Sequence, residues 1–285
     1  MSKTQHFRIT NCYGEQVSSI IENGEATSIP ETLPSETVVY AESDGSMILT
    51  RKKKEYQPFN SWEEVKLLRT YKSGDKLSTL KRSTIEKSEY VAHLGNHQEF
   101  ESKAEQLPDK YEHLGKNLVF ISDGACRIHK WQTESYPKAT QILDYYHVCE
   151  HMAAFALIAI PNETERKIWL DKRKEELLES QSERVCKQIR KIADKEDCNK
   201  ITKEANNLIN YFATNKKRMN YKQYLERGLQ IGSGAIESAN RNVVQAGMKQ
   251  SGQRWSRKRA QYILDLRTCH MSGKWNIVID LIRDS

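Results

Sequence analysis

The chain has 285 residues, of which 38% are hydrophobic and 29% charged, and a formal net charge of +7 at pH 7. No apolar run approaches the roughly 20 residues of a membrane span, and no membrane partner is expected. None of the six cysteines, at 12, 126, 149, 186, 198 and 269, forms a CxxC pair, so reduced thiols fit better than a disulfide framework. The start, Met1-Ser2-Lys3-Thr4-Gln5-His6, carries no apolar signal core, which makes a cytoplasmic protein the expectation. The excess of Lys and Arg favours a polyanionic partner.

Residues 1–35 are polar and close on Pro30 and Pro34; they read as a poorly structured arm or the remnant of a longer N-terminal region. The β-branched stretch Thr37-Val38-Val39-Tyr40 opens a strand, with Asp44-Gly45 expected as a tight bend or bulge within it. Arg51 to Lys54 reads as a basic loop, Val65 to Tyr71 as a second strand and Tyr90 to Leu94 as a weaker one. Residues 96–114 have helical spacing broken at Pro108. Leu118 to Ile121 is the short apolar run of a buried strand, ending at Ser122-Asp123-Gly124. A short helix follows over 128–134, then a strand over 140–144, then an apolar helix reaching about Ile160.

From 161 to 228 Lys, Glu and Arg dominate, with Ile168, Leu177, Val185, Ile189, Ile201, Leu208 and Phe212 at roughly helical intervals. This predicts an all-helical insertion, read as a solvated lid. Gly232 and Gly234 suit a turn with unusual backbone angles, Ser233 is a candidate N-cap, and Glu237 falls in the first turn of a helix over 235–248. Helices over 256–266 and 275–282 close the chain. The expected fold is a mixed α/β sheet flanked by helices, over 36–160 and 229–285, with the insertion before the glutamate-bearing helix. Ligands in such sheets collect at the carboxyl ends of strands, which makes Asp123 and Asp144 candidates for the rim of a site.

Each acid alone has a bland reading. Asp44-Gly45 is a common turn, Asp123 suits a cap and Glu237 an ordinary first-turn carboxylate. Together, Asp44, Asp123 and Glu237 form an all-oxygen set suited to Mg²⁺ or Mn²⁺. Two such ions about 4 Å apart activate an attacking oxygen and stabilise a leaving one. Glu42 is read as pointing to the other face of its strand and is the weaker candidate.

Several ordered motifs carry a resemblance. They are Val119-Phe120-Ile121-Ser122-Asp123-Gly124-Ala125, Tyr136-Pro137-Lys138-Ala139, Ile142 through His151, Gly232 through Ala239, and Met248 through Ser256. The chain from about residue 37 onward resembles the DDE transposases of the Kra-type bacterial insertion sequences. The resemblance implies an RNase H-like fold with a helical insertion. It implies catalytic, metal-binding roles for Asp44 on the first strand, Asp123 at the end of the fourth, and Glu237. No organic cofactor is implied, and the ions are Mg²⁺ or Mn²⁺, two in number. The partners implied are insertion-sequence ends and target DNA, with a homo-oligomer in addition and the bacterial nucleoid as the place of action. Members of the family usually carry an N-terminal DNA-recognition region, which the polar residues 1–35 do not resemble.

His147, Cys149 and His151 crowd one turn region. His147 and His151 have the i, i+4 spacing of a metal pair if helical, but packing or phosphate contact is the preferred reading. The resemblance makes His147 an active-site neighbour. Arg241, Lys249, Arg254, Arg257, Lys258 and Arg259, with Trp255 among them, form a basic stretch beyond Glu237, read as a DNA-contacting surface with Trp255 available for base stacking. The expected function is metal-dependent phosphodiester hydrolysis and strand transfer. The alternatives are a DNA-binding protein of the same fold that does not cut, and a nuclease without strand transfer.

Overall fold

The computed structural model describes residues 2–24, 33–34, 36–54, 57–78, 83–195 and 198–285. The elements are α1 (Lys3–Glu22), β1 (Val39–Lys54), β2 (Gln57–Lys72), β3 (Lys76–Ser78), β4 (Ser83–Ile85), β5 (Glu89–Leu94), α2 (His97–Ala104), β6 (Leu118–Ser122), α3 (Cys126–Ser135), β7 (Thr140–Leu143) and α4 (Tyr145–Ala159). Then follow α5 (Glu163–Leu178), α6 (Ser182–Ala193), α7 (Asn199–Asn215), α8 (Tyr221–Glu226), α9 (Gly234–Ala239), α10 (Ala246–Met248), β8 (Trp255–Ser256), α11 (Arg257–Met271) and α12 (Asn276–Arg283). The main sheet is mixed, with strand order β5-β2-β1-β6-β7, and β8 adds to β1 in parallel. The chain divides into two units: Met1–Phe120 with Lys130–Thr140 and Gly234–Ser285, and Ile121–His129 with Gln141–Ser233. No helix among the described residues is long and apolar enough to cross a membrane.

In the first unit β1 and β2 form a long antiparallel hairpin, and β5 pairs with β2. Strand alternation sends Val39, Ala41, Leu68 and Val91 to one face, where Phe100, Phe120, Trp131 and Tyr136 join them. It sends Ile48, Val65, Leu67 and Leu94 to the other, against Ile236, Val243, Val244, Met248 and Leu264. Each of these large side chains contributes about 1.5–3 kcal/mol by leaving water. The second face therefore glues the Glu237 helix to the hairpin.

The first unit differs from the sequence reading in four respects. The first is α1, which is a helix rather than an arm. Ser2 and Gln5 form a capping box at its start, Val17 is buried, and the Ser18 hydroxyl donates to Asp265 Oδ2 at 2.6 Å. Pro30 lies outside the described residues. Second, Asp44-Gly45 makes no bulge, because the β1–β2 register runs unbroken through Asp44↔Leu67 and Gly45↔Lys66. Gly45 serves by its missing Cβ, whose place is taken by the Glu64 carboxylate. Third, Arg51 to Lys54 belongs to β1, paired along β2, and is not a loop.

The fourth difference lies in the helix expected over 235–248, which widens into a π-helix over Asn240–Gln245. A π-turn misaligns carbonyls. Arg267 compensates, its guanidinium donating to the carbonyls of Val243 and Asn242.

In the second unit the insertion is helical where described, as its charge pattern implies. α6 presents Val185 and Ile189, and α7 presents Ile201, Leu208 and Phe212, as buried faces where the two helices pack. The Tyr221 hydroxyl donates to the Leu143 carbonyl at 3.1 Å, tying α8 to the end of β7. Gly232 does not take a left-handed conformation. It is needed because the Tyr146 ring occupies the place of a Cβ.

Candidate functional site

Asp44 lies in the middle of β1, half-buried, on the face that carries α9. Its Oδ1 accepts the Gly45 N–H at 2.7 Å, and its Oδ2 accepts the side-chain amide of Asn240 at 2.5 Å. Asn240 is only 2% exposed, and its Oδ1 is buried without a hydrogen-bond partner among the described residues. A carboxylate can only accept, so the amide must present its nitrogen to Asp44 and leave the oxygen over. Glu237 stands one helical turn before Asn240, exposed to solvent. Residues three apart share a helix face. The Asp44–Asn240 bond thus ties the aspartate to the helix that bears Glu237, three residues before the amide.

Glu42 overturns its sequence reading. Residues two apart on a strand share a face, so Glu42 lies on the same side as Asp44. It is fully buried, accepting the Tyr71 hydroxyl at 2.6 Å and the Ile236 N–H at 2.8 Å. Burial and the Glu42 charge raise the Tyr71 pKa far above its ordinary value, so the phenol is a donor at any working pH. Ile236 is in the first turn of α9, where N–H groups lack intrahelical acceptors. Glu42 therefore caps that turn. Ser233, the residue expected to do so, instead directs its N–H at 3.1 Å and its hydroxyl to Asp144 Oδ2.

In the second unit Asp123 follows β6, half-buried, with Oδ1 accepting the Ala125 N–H at 3.0 Å in a local turn. Asp144 is not a rim residue. It is 4% exposed and caps α4, accepting the N–H groups of Tyr146 at 2.7 Å and His147 at 3.3 Å besides its two bonds from Ser233. α4 brings His147 and His151 together, Nε2 to Nε2 at 3.2 Å, and the His151 ring lies on Tyr211. Burial and His147 pull the His151 pKa down, with Glu150 and Asp123 acting against them. Burial likewise pushes up the thiol of Cys149, which is sequestered and not poised as a ligand.

The basic stretch divides. Arg241, Lys249 and Arg254 are exposed. Arg257 pairs with Glu63 at 3.6 Å and Lys258 with Glu15 at 2.8 Å. Trp255 packs against the core beneath α9, and its indole N–H donates to the Met248 carbonyl at 3.0 Å. The indole thus already has a structural place. Among the described residues no three His, Cys, Asp or Glu side chains are grouped closely enough to hold a metal ion.

Sequence reasoning missed Asn240 and the capping role of Glu42. The signals were present in the i, i+3 spacing of Glu237 and Asn240 and the two-residue spacing of Glu42 and Asp44. No family model matches the chain, and no curated protein matches it.

Proposed function

We propose that the chain is the catalytic part of a DDE-type DNA transposase with an RNase H-like fold, cutting and rejoining DNA strands with Mg²⁺ or Mn²⁺. The carrying observation is the Asn240 amide on Asp44, which joins the strand of one chosen acid to the helix of another. The topology adds support. Leaving aside the short β3–β4 ribbon, Asp44 is on the first strand of the main sheet and Asp123 directly follows the fourth. These are the positions the motif resemblance implies.

The donor chemistry fits the ion, since Asp44, Asp123 and Glu237 offer only hard carboxylate oxygens. In the first unit Asp44 and Glu237 would contribute to holding it, and Asp123 offers the same kind of oxygen in the second. Bound there, it would lower the pKa of an attacking hydroxyl or water and offset charge on the phosphodiester. The rest falls to the chain. Asn240 and the Gly45 N–H fix the orientation of the Asp44 carboxylate. Exposed Arg241, Lys249 and Arg254 attract the DNA backbone, and oligomer formation and target DNA belong to the same reading.

The test is nicking of supercoiled DNA in Mn²⁺ by the full chain, set beside Glu237→Ala. The expected result is activity in the first and none in the second. Equal activity in both rejects the glutamate, and no activity in the first rejects the function. Joining of a pre-cut element end to a second DNA then separates a transposase from a nuclease.

A further inference from the structure

Glu42 and Arg69 stand directly opposite each other in the β1–β2 register. Both are buried, at 0% and 6% exposure. Opposite charges so placed on neighbouring strands attract each other. A buried pair is costly to desolvate, so the remaining donors and acceptors need partners. Arg69 spends one on the Ser88 hydroxyl, and its guanidinium lies over the rings of Tyr71 and Tyr90. Its Nη1 donates to the Ala235 carbonyl at 2.6 Å. Glu42 takes the Ile236 N–H at 2.8 Å. The Ala235 carbonyl and the Ile236 N–H belong to one peptide group, and the next residue is Glu237.

We infer that Glu42 and Arg69 are positioning residues, a two-charge clamp on the peptide group before Glu237 that fixes where its carboxylate stands relative to Asp44. The inference rests on the proposed function for its catalytic consequence, though not for the clamp itself. Charge-assisted hydrogen bonds are short and roughly twice as strong as neutral ones. Two of them on one peptide group leave little freedom to rotate or slide the first turn. Neither residue touches substrate in this role. Glu42 is sealed beneath the helix, and its two oxygens are taken by Tyr71 and Ile236.

The clamp and the function are separated by two measurements on the full chain. The first is amide hydrogen exchange over 234–240. In the native protein Ile236 is expected to be protected despite lacking an intrahelical acceptor, and in Glu42→Gln it is expected to exchange at least about tenfold faster. Exchange of the native Ile236 amide at the rate of an open first-turn amide overturns the clamp, whatever the activity. The second is the Mn²⁺ concentration for half-maximal nicking. Glu42→Gln and Arg69→Lys are each expected to raise it about tenfold and to keep most of the rate at saturating metal. Glu237→Ala is expected to lose the rate at every concentration. An unchanged midpoint in both clamp variants overturns positioning. So does loss of rate at every metal concentration in Glu42→Gln with Ile236 still protected, since that marks Glu42 as a ligand. If the native chain never nicks, the function fails, and the native exchange rate of Ile236 still decides the clamp. Should Glu42→Gln not fold, Arg69→Lys, which keeps the charge, carries the midpoint measurement.

Discussion

In each unit two candidate acids lie on a strand or directly after one, Glu42 and Asp44 in the first and Asp123 and Asp144 in the second, and the two pairs are sorted alike. In the first unit Glu42 is buried and caps α9 while Asp44 is half-buried. In the second Asp144 is buried and caps α4 while Asp123 is half-buried. The difference within each pair is one of partners. Glu42 and Asp144 each hold N–H groups at the first turn of a helix, so their charge serves to anchor that helix. Asp44 and Asp123 accept one local backbone N–H each, and Asp44 adds the Asn240 amide. An acid that anchors a helix is a stability residue. An acid oriented at a half-open position keeps contact with solvent, which the two helix anchors do not.

The largest expected effect breaks this comparison if it fails. Asp44→Ala, Asp123→Ala and Glu237→Ala should each lower metal-dependent nicking beyond the roughly 100-fold that losing an outer partner costs. Glu237 is exposed, so its replacement should shift the unfolding free energy by no more than about 0.5 kcal/mol. Paired nicking and urea unfolding measurements decide. A destabilised, fully active Glu237→Ala would make it a structural residue.

Asp144→Ala comes next and should do the reverse. It removes a cap that satisfies two first-turn N–H groups and strands the buried Ser233 N–H and hydroxyl. The expected loss is about 2 kcal/mol, the upper end for a cap, read as a lower urea midpoint with unchanged slope. An inactive but equally stable variant would move Asp144 into the same class as Asp123.

Asn240→Ala sharpens the contrast from the side of the orienting group. It frees the Asp44 carboxylate to rotate and removes an amide oxygen that has no partner among the described residues. Activity should fall about tenfold, the low end for loss of a group that orients a ligand. Stability should change little, because one net hydrogen bond of about 1 kcal/mol is offset by removing the unsatisfied oxygen. A loss of stability with full activity would show that the bond serves packing alone.

The sequence made most elements of the fold readable because their signals are local. Leu118 to Ile121 is apolar enough for a buried strand, Pro108 breaks its helix, and the spacing of Val185, Ile189, Ile201 and Phe212 marks helices. What was hidden depends on partners distant in sequence. α1 looks too polar for a docked element until Ser18 meets Asp265 and Val17 is seen buried. Asp44-Gly45 has the composition of a turn, yet β2 supplies a continuous partner and Glu64 fills the space over the glycine. Glu42 and Asp44 differ by what reaches them from α9 and the π-turn, and nothing within the strand announces it. Ser233 has the ideal N-cap side chain, but its N–H and hydroxyl both turn to Asp144, and the first-turn N–H of Ile236 goes to Glu42.

Glu89 is a third kind of acid, neither anchor of a helix nor oriented towards a ligand, and it gives the smallest expected effect. It bridges Lys110 at 2.9 Å and Lys274 at 2.6 Å beside a cleft of about 820 Å³. Burial alone would raise its pKa, but the hydrogen bonds and charges of Lys274 and Lys110 outweigh that and hold it below the ordinary 4.5. Burial also lowers the Lys110 ammonium from 10.5, which leaves it charged under acid conditions. A carboxylate whose folded pKa is depressed binds its proton more readily when unfolded, so stability rises with pH through that window. The contribution is complete above about pH 4.5 and lost as pH falls through the lower folded value. Urea midpoints between pH 5 and pH 3 should therefore fall more steeply for the native chain than for Glu89→Gln, which has no proton to bind. The two curves should converge at the acid end, since there native Glu89 is itself protonated. Parallel curves would mean that the two lysines do not hold this carboxylate in solution.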